Sequence, residues 1–342
     1  MSIIDFAQRL RARTSIIKDS EAKTMQAPIV APLPPLPTLP PLPAHDPIRS
    51  KIQKLWDGTI PAVSTAHNQD VRKAMAASNA NFDVYLDILQ TPDRVKTEKR
   101  AVRRSDNHEI LSIVGSRYLP LQNSRAFDWF QPLLEKSDAI LTNAGSVKGG
   151  TKAAILCKLP GDGMEVAPGD IVDCYLKLTN SHDGKSSVKL EFLPMRLLCA
   201  NGLAAITSSS ILLNARHTAQ LGMKLDNVSD IIRRISDDYK EVGQCFKALA
   251  AKPVKSEEEF RNYCIAALGV TEDHKAIDQC LINFQAGRGA SVAGSTWWGA
   301  YNAVNEYLQY QSMEDESLAR ENLLFGRNES RNRRALQLAI AA

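Results

Sequence analysis

His182 and Asp183 stand side by side, with His217 further along the chain. An imidazole beside a carboxylate suits proton transfer or metal binding, so His182, Asp183 and His217 form a candidate catalytic set. The pair also sits in Ser181-His182-Asp183-Gly184, between two alternating apolar runs. Asp-Gly there marks a hairpin turn, because glycine accepts a positive φ without steric cost. Two adjacent residues cannot complete a metal site, and no second cluster stands at ligand spacing. A metal-dependent enzyme of nucleic-acid metabolism is thus the alternative reading, and no metal or cofactor is expected. Gly145–Lys152 approaches a phosphate-binding loop, but Thr151 precedes Lys152 where the loop needs lysine first.

The second chemistry is charge. Arg117, Arg125, Lys148, Lys152, Lys177, Lys185, Lys189, Arg196 and Arg216 punctuate the middle of the chain, with Tyr118, Trp129 and Tyr175 among them. Cations that follow a sugar-phosphate chain, interleaved with rings on which bases stack, describe a site for single strands. Such binding needs no base-reading helix. The expected site is therefore Arg117, Tyr118, Arg125, Lys148, Lys152, Lys177, Lys185, Lys189, Arg196 and Arg216. A further run, Arg94 to Arg104, holds six cations opposed by Glu98 alone. A solvated face is its first reading and phosphate contact the alternative.

These residues need a scaffold. Tyr175–Phe192 reads as a hairpin, and Val188, Leu190 and Phe192 should share one face with Lys189 and Glu191 on the other. Ala144–Val147 and Thr151–Leu159 form an earlier hairpin around Lys148-Gly149-Gly150. Glu109–Val114 is a strand. Ser124 is a candidate cap for a helix carrying Phe127, Phe130, Leu133 and Leu134. Residues 66–104 give mixed helical signals before the charge run. Cys199–Ile206 is expected to turn into a helix. Leu225, Val228, Ile232, Ile235, Tyr239, Val242, Phe246 and Leu249 fall three and four apart, the seam of a long helix. That seam serves either packing within the domain or an oligomer contact. Ser256-x-x-Glu259 is a capping box, Thr271 a candidate cap, and Trp297, Tyr301, Val304 and Leu308 another stripe. The fold class is α+β: a central antiparallel β-sheet built of hairpins with flanking helices, plus an all-helical C-terminal part.

The chain divides into an N-terminal segment at 1–25, whose pattern suits a short helix, a Pro-rich linker at 26–50, a core at 51–219 and a helical region at 220–342. Nine of the 17 prolines lie between Pro28 and Pro47. Proline lacks an N–H and fixes φ, so this stretch is polyproline II, a linker or a ligand for an aromatic groove on a host protein. A net charge of +4 excludes a histone-like polycation but permits a local basic groove. The six cysteines form no Cys-x-x-Cys pair and sit among apolar residues, as reduced buried thiols do. No secretory signal or membrane-spanning run is read, so a cytoplasmic location is expected.

Several phrases form a recognisable set: Arg117-Tyr-x-Pro-Leu-Gln-Asn123, Pro168-Gly-Asp170, Thr179-Asn-Ser-His-Asp-Gly184, Arg196-Leu-Leu-Cys-Ala-Asn-Gly-Leu203, Arg216-His-Thr218 and Trp298-Gly-Ala-Tyr-Asn-Ala-Val304. Together they resemble the phage/plasmid-like proteins of domain of unknown function 932, over roughly residues 70–340. Gly202 departs from that pattern, which has threonine there. The resemblance implies a phage, prophage or plasmid origin and no assigned reaction. The order of helix, hairpins and helix is also similar, at fold level, to Rad-type single-strand annealing proteins. The leading expectation is a non-enzymatic single-stranded DNA-binding protein, annealing strands in recombination or replication, acting as a homo-oligomer and without a membrane. An interaction protein engaging a host factor through the Pro-rich segment is a further alternative.

Overall fold

The computed structural model describes residues 70–342 apart from 79, 129, 138, 162, 197–200, 203–210, 218–227, 315–321 and 323–324. The N-terminal segment, the Pro-rich linker, Trp129 and Cys199 lie outside the described residues. In chain order the elements are α1 (Val71–Ala77), β1 (Val84–Gln90), β2 (Lys96–Arg104), β3 (Ile110–Val114), α2 (Asn123–Asp128), α3 (Gln131–Ser137), β4 (Ile140–Val147) and β5 (Lys152–Lys158). They continue with β6 (Met164–Ala167), β7 (Asp170–Ser181), β8 (Val188–Arg196), β9 (Asn201–Gly202) and β10 (Ile211–Ala215). The helical part is α4 (Val228–Ala251), α5 (Glu257–Leu268), α6 (Lys275–Ala286), α7 (Ala290–Ala293), α8 (Trp297–Glu306) and α9 (Arg327–Ala341). The protein is α+β.

Strands β10-β8-β7-β5-β4 form the main antiparallel sheet, with β6 beside β7 and β9 beside β8. Both expected hairpins are present. Alternation decides the faces: Val188, Leu190 and Phe192 enter the main core, while Glu191 points to the other side, opposite Lys177. The turn between β7 and β8 is built by Asp183, whose Oδ1 accepts from Lys185 N at 2.8 Å and Ser186 N at 2.7 Å. Gly184 takes φ +70°, and a Cβ there would stand 2.8 Å from Val114 Cγ1.

Residues 84–104 are corrected from helix and solvated run to two strands. β1, β2 and β3 form a separate three-stranded antiparallel sheet. The charge run is strand β2: Val102 and Arg104 face inward with Val84 and Val114, and Arg103 pairs outward with Asp87 at 2.7 Å. Its long polar side chains hide the period of two from any apolar pattern. The small sheet is fixed to the hairpin tips of the large one. Arg104 lies over the Phe82 ring at 3.9 Å and donates to Gly149 O at 2.9 Å; Ser112 Oγ donates to His182 O at 2.6 Å.

One continuous core runs from Val71 to Ala339 on one face of the main sheet. In α4, Val242, Phe246 and Leu249 are buried in it, and Phe246 meets Trp298 at 4.7 Å, so this part of the seam is used internally. The opposite face of the sheet is covered too: Val147, Ala154, Leu156, Tyr175, Leu193 and Met195 pack against Phe325.

Three helix boundaries differ from expectation. The helix expected from Ser124 begins at Asn123 and is split into α2 and α3, although Phe127, Phe130 and Leu134 are buried as expected. Asn201–Gly202 pairs with β8 as a short strand. The cap of α6 is His274, whose Nδ1 accepts from Ala276 N at 3.1 Å, while Thr271 Oγ1 turns to Asp273. Ser256 caps α5 as its pattern predicts, accepting from Glu259 N at 3.1 Å.

Candidate ligand cleft

Where the small sheet meets the hairpin tips, a cleft of about 730 Å³ opens. Four segments line it: Glu98 and Lys99 of β2, the loop Gly115–Tyr118 after β3, the turn Gly184–Ser186, and Arg216-His217 after β10. Four cations, Lys99, Arg117, Lys185 and Arg216, share this space with one carboxylate, Glu98. All four are exposed. Three were expected from the sequence. Lys99 was legible only as one member of the charge run.

Tyr118 forms part of the wall. Its ring stacks on the His217 imidazole with centroids 5.1 Å apart, and its hydroxyl reaches Ser181 O at 3.4 Å. Burial raises its pKa, so the phenol stays protonated. Behind it lies a buried polar network. Asn123 Nδ2 donates to Ala80 O at 3.2 Å, leaving Asn123 Oδ1 to accept from Asn180 Nδ2 at 2.9 Å and His182 Nε2 at 3.1 Å. Asn180 Nδ2 also donates to Leu121 O at 2.9 Å, and Leu121 N donates to His217 Nδ1 at 3.4 Å. The rings of His182 and His217 stand 6.5 Å apart.

Burial, with help from His217, lowers the His182 pKa to about 3; burial lowers that of His217 to about 4 against the pull of Asp183. Both are neutral near pH 7. Asp183 is pushed up by burial but pulled down further by hydrogen bonds from Ser186, Lys185 and Ser181, to about 2. Its oxygens serve the turn, and Lys152 lies 3.8 Å away. The three residues of the candidate catalytic set are therefore neighbours. Among the described residues no group of three or more His, Cys, Asp or Glu side chains is placed to hold a metal.

The remaining expected cations do not converge. Arg196 is fully buried, clamped by Asp170 through Nε–Oδ1 at 2.7 Å and Nη2–Oδ2 at 2.5 Å, and Trp298 Nε1 donates to the same carboxylate at 2.8 Å. Lys177 is buried against Glu191 at 3.0 Å. Lys152 and Lys177 lie over the Phe325 ring at 5.7 and 5.1 Å. Lys189 is half-buried beside them. The trough expected along the sheet is thus corrected: its face is covered by the residues packed against Phe325, and Lys152 and Lys177 are matched by Asp183 and Glu191. Arg125 on α2 and Lys148 in the β4–β5 turn are exposed, away from the cleft lining. Tyr175 is packed in the face under Phe325.

The phrases quoted above sort onto these places. Arg117–Asn123, Asn180–Gly184 and Arg216-His217 build the cleft and its network; Asp170, Arg196 and Trp298 build the clamp. A family profile described as Domain of unknown function (DUF932) matches residues 110–336. The chain belongs to this family. No curated protein and no solved structure matches it. The DUF932 match begins at β3, so it contains Arg117, Lys185 and Arg216 but not Glu98 or Lys99. The cleft thus joins the matched span to a wall supplied by β2. Among the described residues no helix is long and apolar enough to cross a membrane. Cys157, Cys174, Cys245, Cys264 and Cys280 are buried free thiols.

Proposed function

We propose that this protein binds single-stranded nucleic acid at the cleft between the two sheets, without catalysing a reaction on it. One observation carries the reading: Lys99, Arg117, Lys185 and Arg216 come from four separate segments and open on one space, where Glu98 is the carboxylate of the lining and Asp183 is held in the turn beside it. Clustering like charges costs energy in the free protein, and an anionic ligand relieves it. The volume lies in the small-ligand range and suits about one or two nucleotides of a strand. Tyr118 supplies an aromatic edge at the wall. Such binding would serve strand annealing in recombination or replication of a phage or plasmid genome, with DNA as the first candidate.

Fluorescence anisotropy of a labelled oligonucleotide across a salt series tests this. One or two phosphates neutralised on a single strand give a log–log slope of about −0.7 to −1.4, at roughly 0.7 per phosphate. Arg117→Glu/Arg216→Glu should abolish binding at moderate salt, and Arg125→Glu should leave it nearly intact. Affinity indifferent to salt, or equal loss in all variants, would overturn the assignment.

A further inference from the structure

His217 lines the cleft, and the buried polar network behind it and Tyr118 carries atoms without protein partners. Leu121 N donates to His217 Nδ1, so that nitrogen is the acceptor and the proton sits on Nε2. His182 Nε2 faces Asn123 Oδ1, which can only accept, so His182 holds its proton on Nε2 and a lone pair on Nδ1. His217 Nε2 and His182 Nδ1 are both buried without a hydrogen-bond partner, and so is Asn180 Oδ1. His217 at the wall therefore offers one donor, and the network behind it two acceptors, all neutral. A buried polar group left this way carries a desolvation cost, and native structures rarely keep several together without use.

We propose that this wall reads a free sugar hydroxyl on the bound strand. The inference rests on the cleft being a nucleic-acid site. A hydroxyl donates and accepts through one oxygen, so it can serve a donor and an acceptor at once, and the two imidazole rings stand 6.5 Å apart. A phosphate oxygen only accepts, and an ammonium only donates. The cations at the mouth hold the phosphate, and the hydroxyl follows it on the same sugar. Tyr118 covers the His217 ring and is held at its tip by one long hydrogen bond to Ser181 O, 3.4 Å. Rotation of that ring outward opens the pair to the ligand. Two sources supply such a hydroxyl: the 2′ position of RNA and the 3′ end of DNA.

Equilibrium binding of the full chain to labelled strands of one sequence decides it. The series is DNA with a 3′-hydroxyl, DNA with a dideoxy end, RNA, and 2′-O-methyl RNA with a 3′-deoxy end. Loss of the hydroxyl that is read should weaken binding about tenfold at constant phosphate number, the effect of stranding buried partners. A gap between the two DNAs assigns the 3′ end; a gap between the two RNAs alone assigns the 2′ position. His217→Phe keeps a ring, removes the donor and should erase the gap. If that variant does not fold, the ligand series on the native protein stands by itself. Equal affinity for all four strands overturns the hydroxyl reading and leaves the cleft assignment intact. Absence of binding to every strand at low salt overturns both.

Discussion

His182 and His217 are folded in the neutral form, and this couples stability to acid. Their folded pKa values, about 3 and about 4, lie below the ordinary 6.5. The unfolded chain therefore takes up protons that the fold refuses. Their contribution is complete above about pH 6.5 and is lost as pH falls toward those folded values. The urea midpoint should drop between pH 7 and pH 5, and a His182→Gln/His217→Gln variant should show a flatter slope there. An unchanged slope would place the acid sensitivity elsewhere. The residues of the candidate cleft were partly legible from sequence. Arg117, Tyr118, Lys185, Arg216 and the histidines were named by type and neighbourhood, and they do meet. Lys177 and Arg196 looked no different, yet their partners Glu191 and Asp170 lie 14 and 26 residues away and are brought in by strand register. Pairing across a sheet is not written in local spacing.

At the scale of elements, the Asp170–Arg196 pair ties β7 and β8 to the helical part. Arg196 Nη2 also donates to Gly289 O at 2.9 Å, just before α7, and Trp298 opens α8 against the same carboxylate. Both ions are withdrawn from water, so removing one strands the other. Asp170→Asn should cost about 3–5 kcal/mol in chemical denaturation. Arg261→Ala, which breaks ion pairs to Glu257 and Asp278 on the surface, should cost no more than about 1 kcal/mol. A similar loss in both would mean that the buried pair is not a clamp. The hairpins were legible because Asp183-Gly184 and Gly149-Gly150 announce their turns and apolar alternation sets the faces. Strand β2 was not, because a strand of Lys, Arg, Thr and Glu has no apolar period. Its inward side is visible only once Val84, Phe82 and Val114 are in place.

At the scale of the molecule, sheet and helices share one core, with Ile155, Leu176 and Phe192 in the same cluster as Phe246, Trp298 and Leu336. A fragment ending at residue 219 would expose that apolar surface. It should be recovered as an aggregate or bind a hydrophobic dye, whereas residues 70–342 should unfold in one cooperative transition. A soluble fragment 51–219 with native-like exchange protection would show that the helices are dispensable. The family match starts at β3, one strand after Lys99. The hollow is thus a vise with a fixed jaw and an added one. Arg117, Lys185 and Arg216 stand within the matched span and Lys99 before it, so removing β1 and β2 would leave three of the four cations without the opposing side. Exchange of that front piece would reshape the hollow while the helices behind it stay untouched.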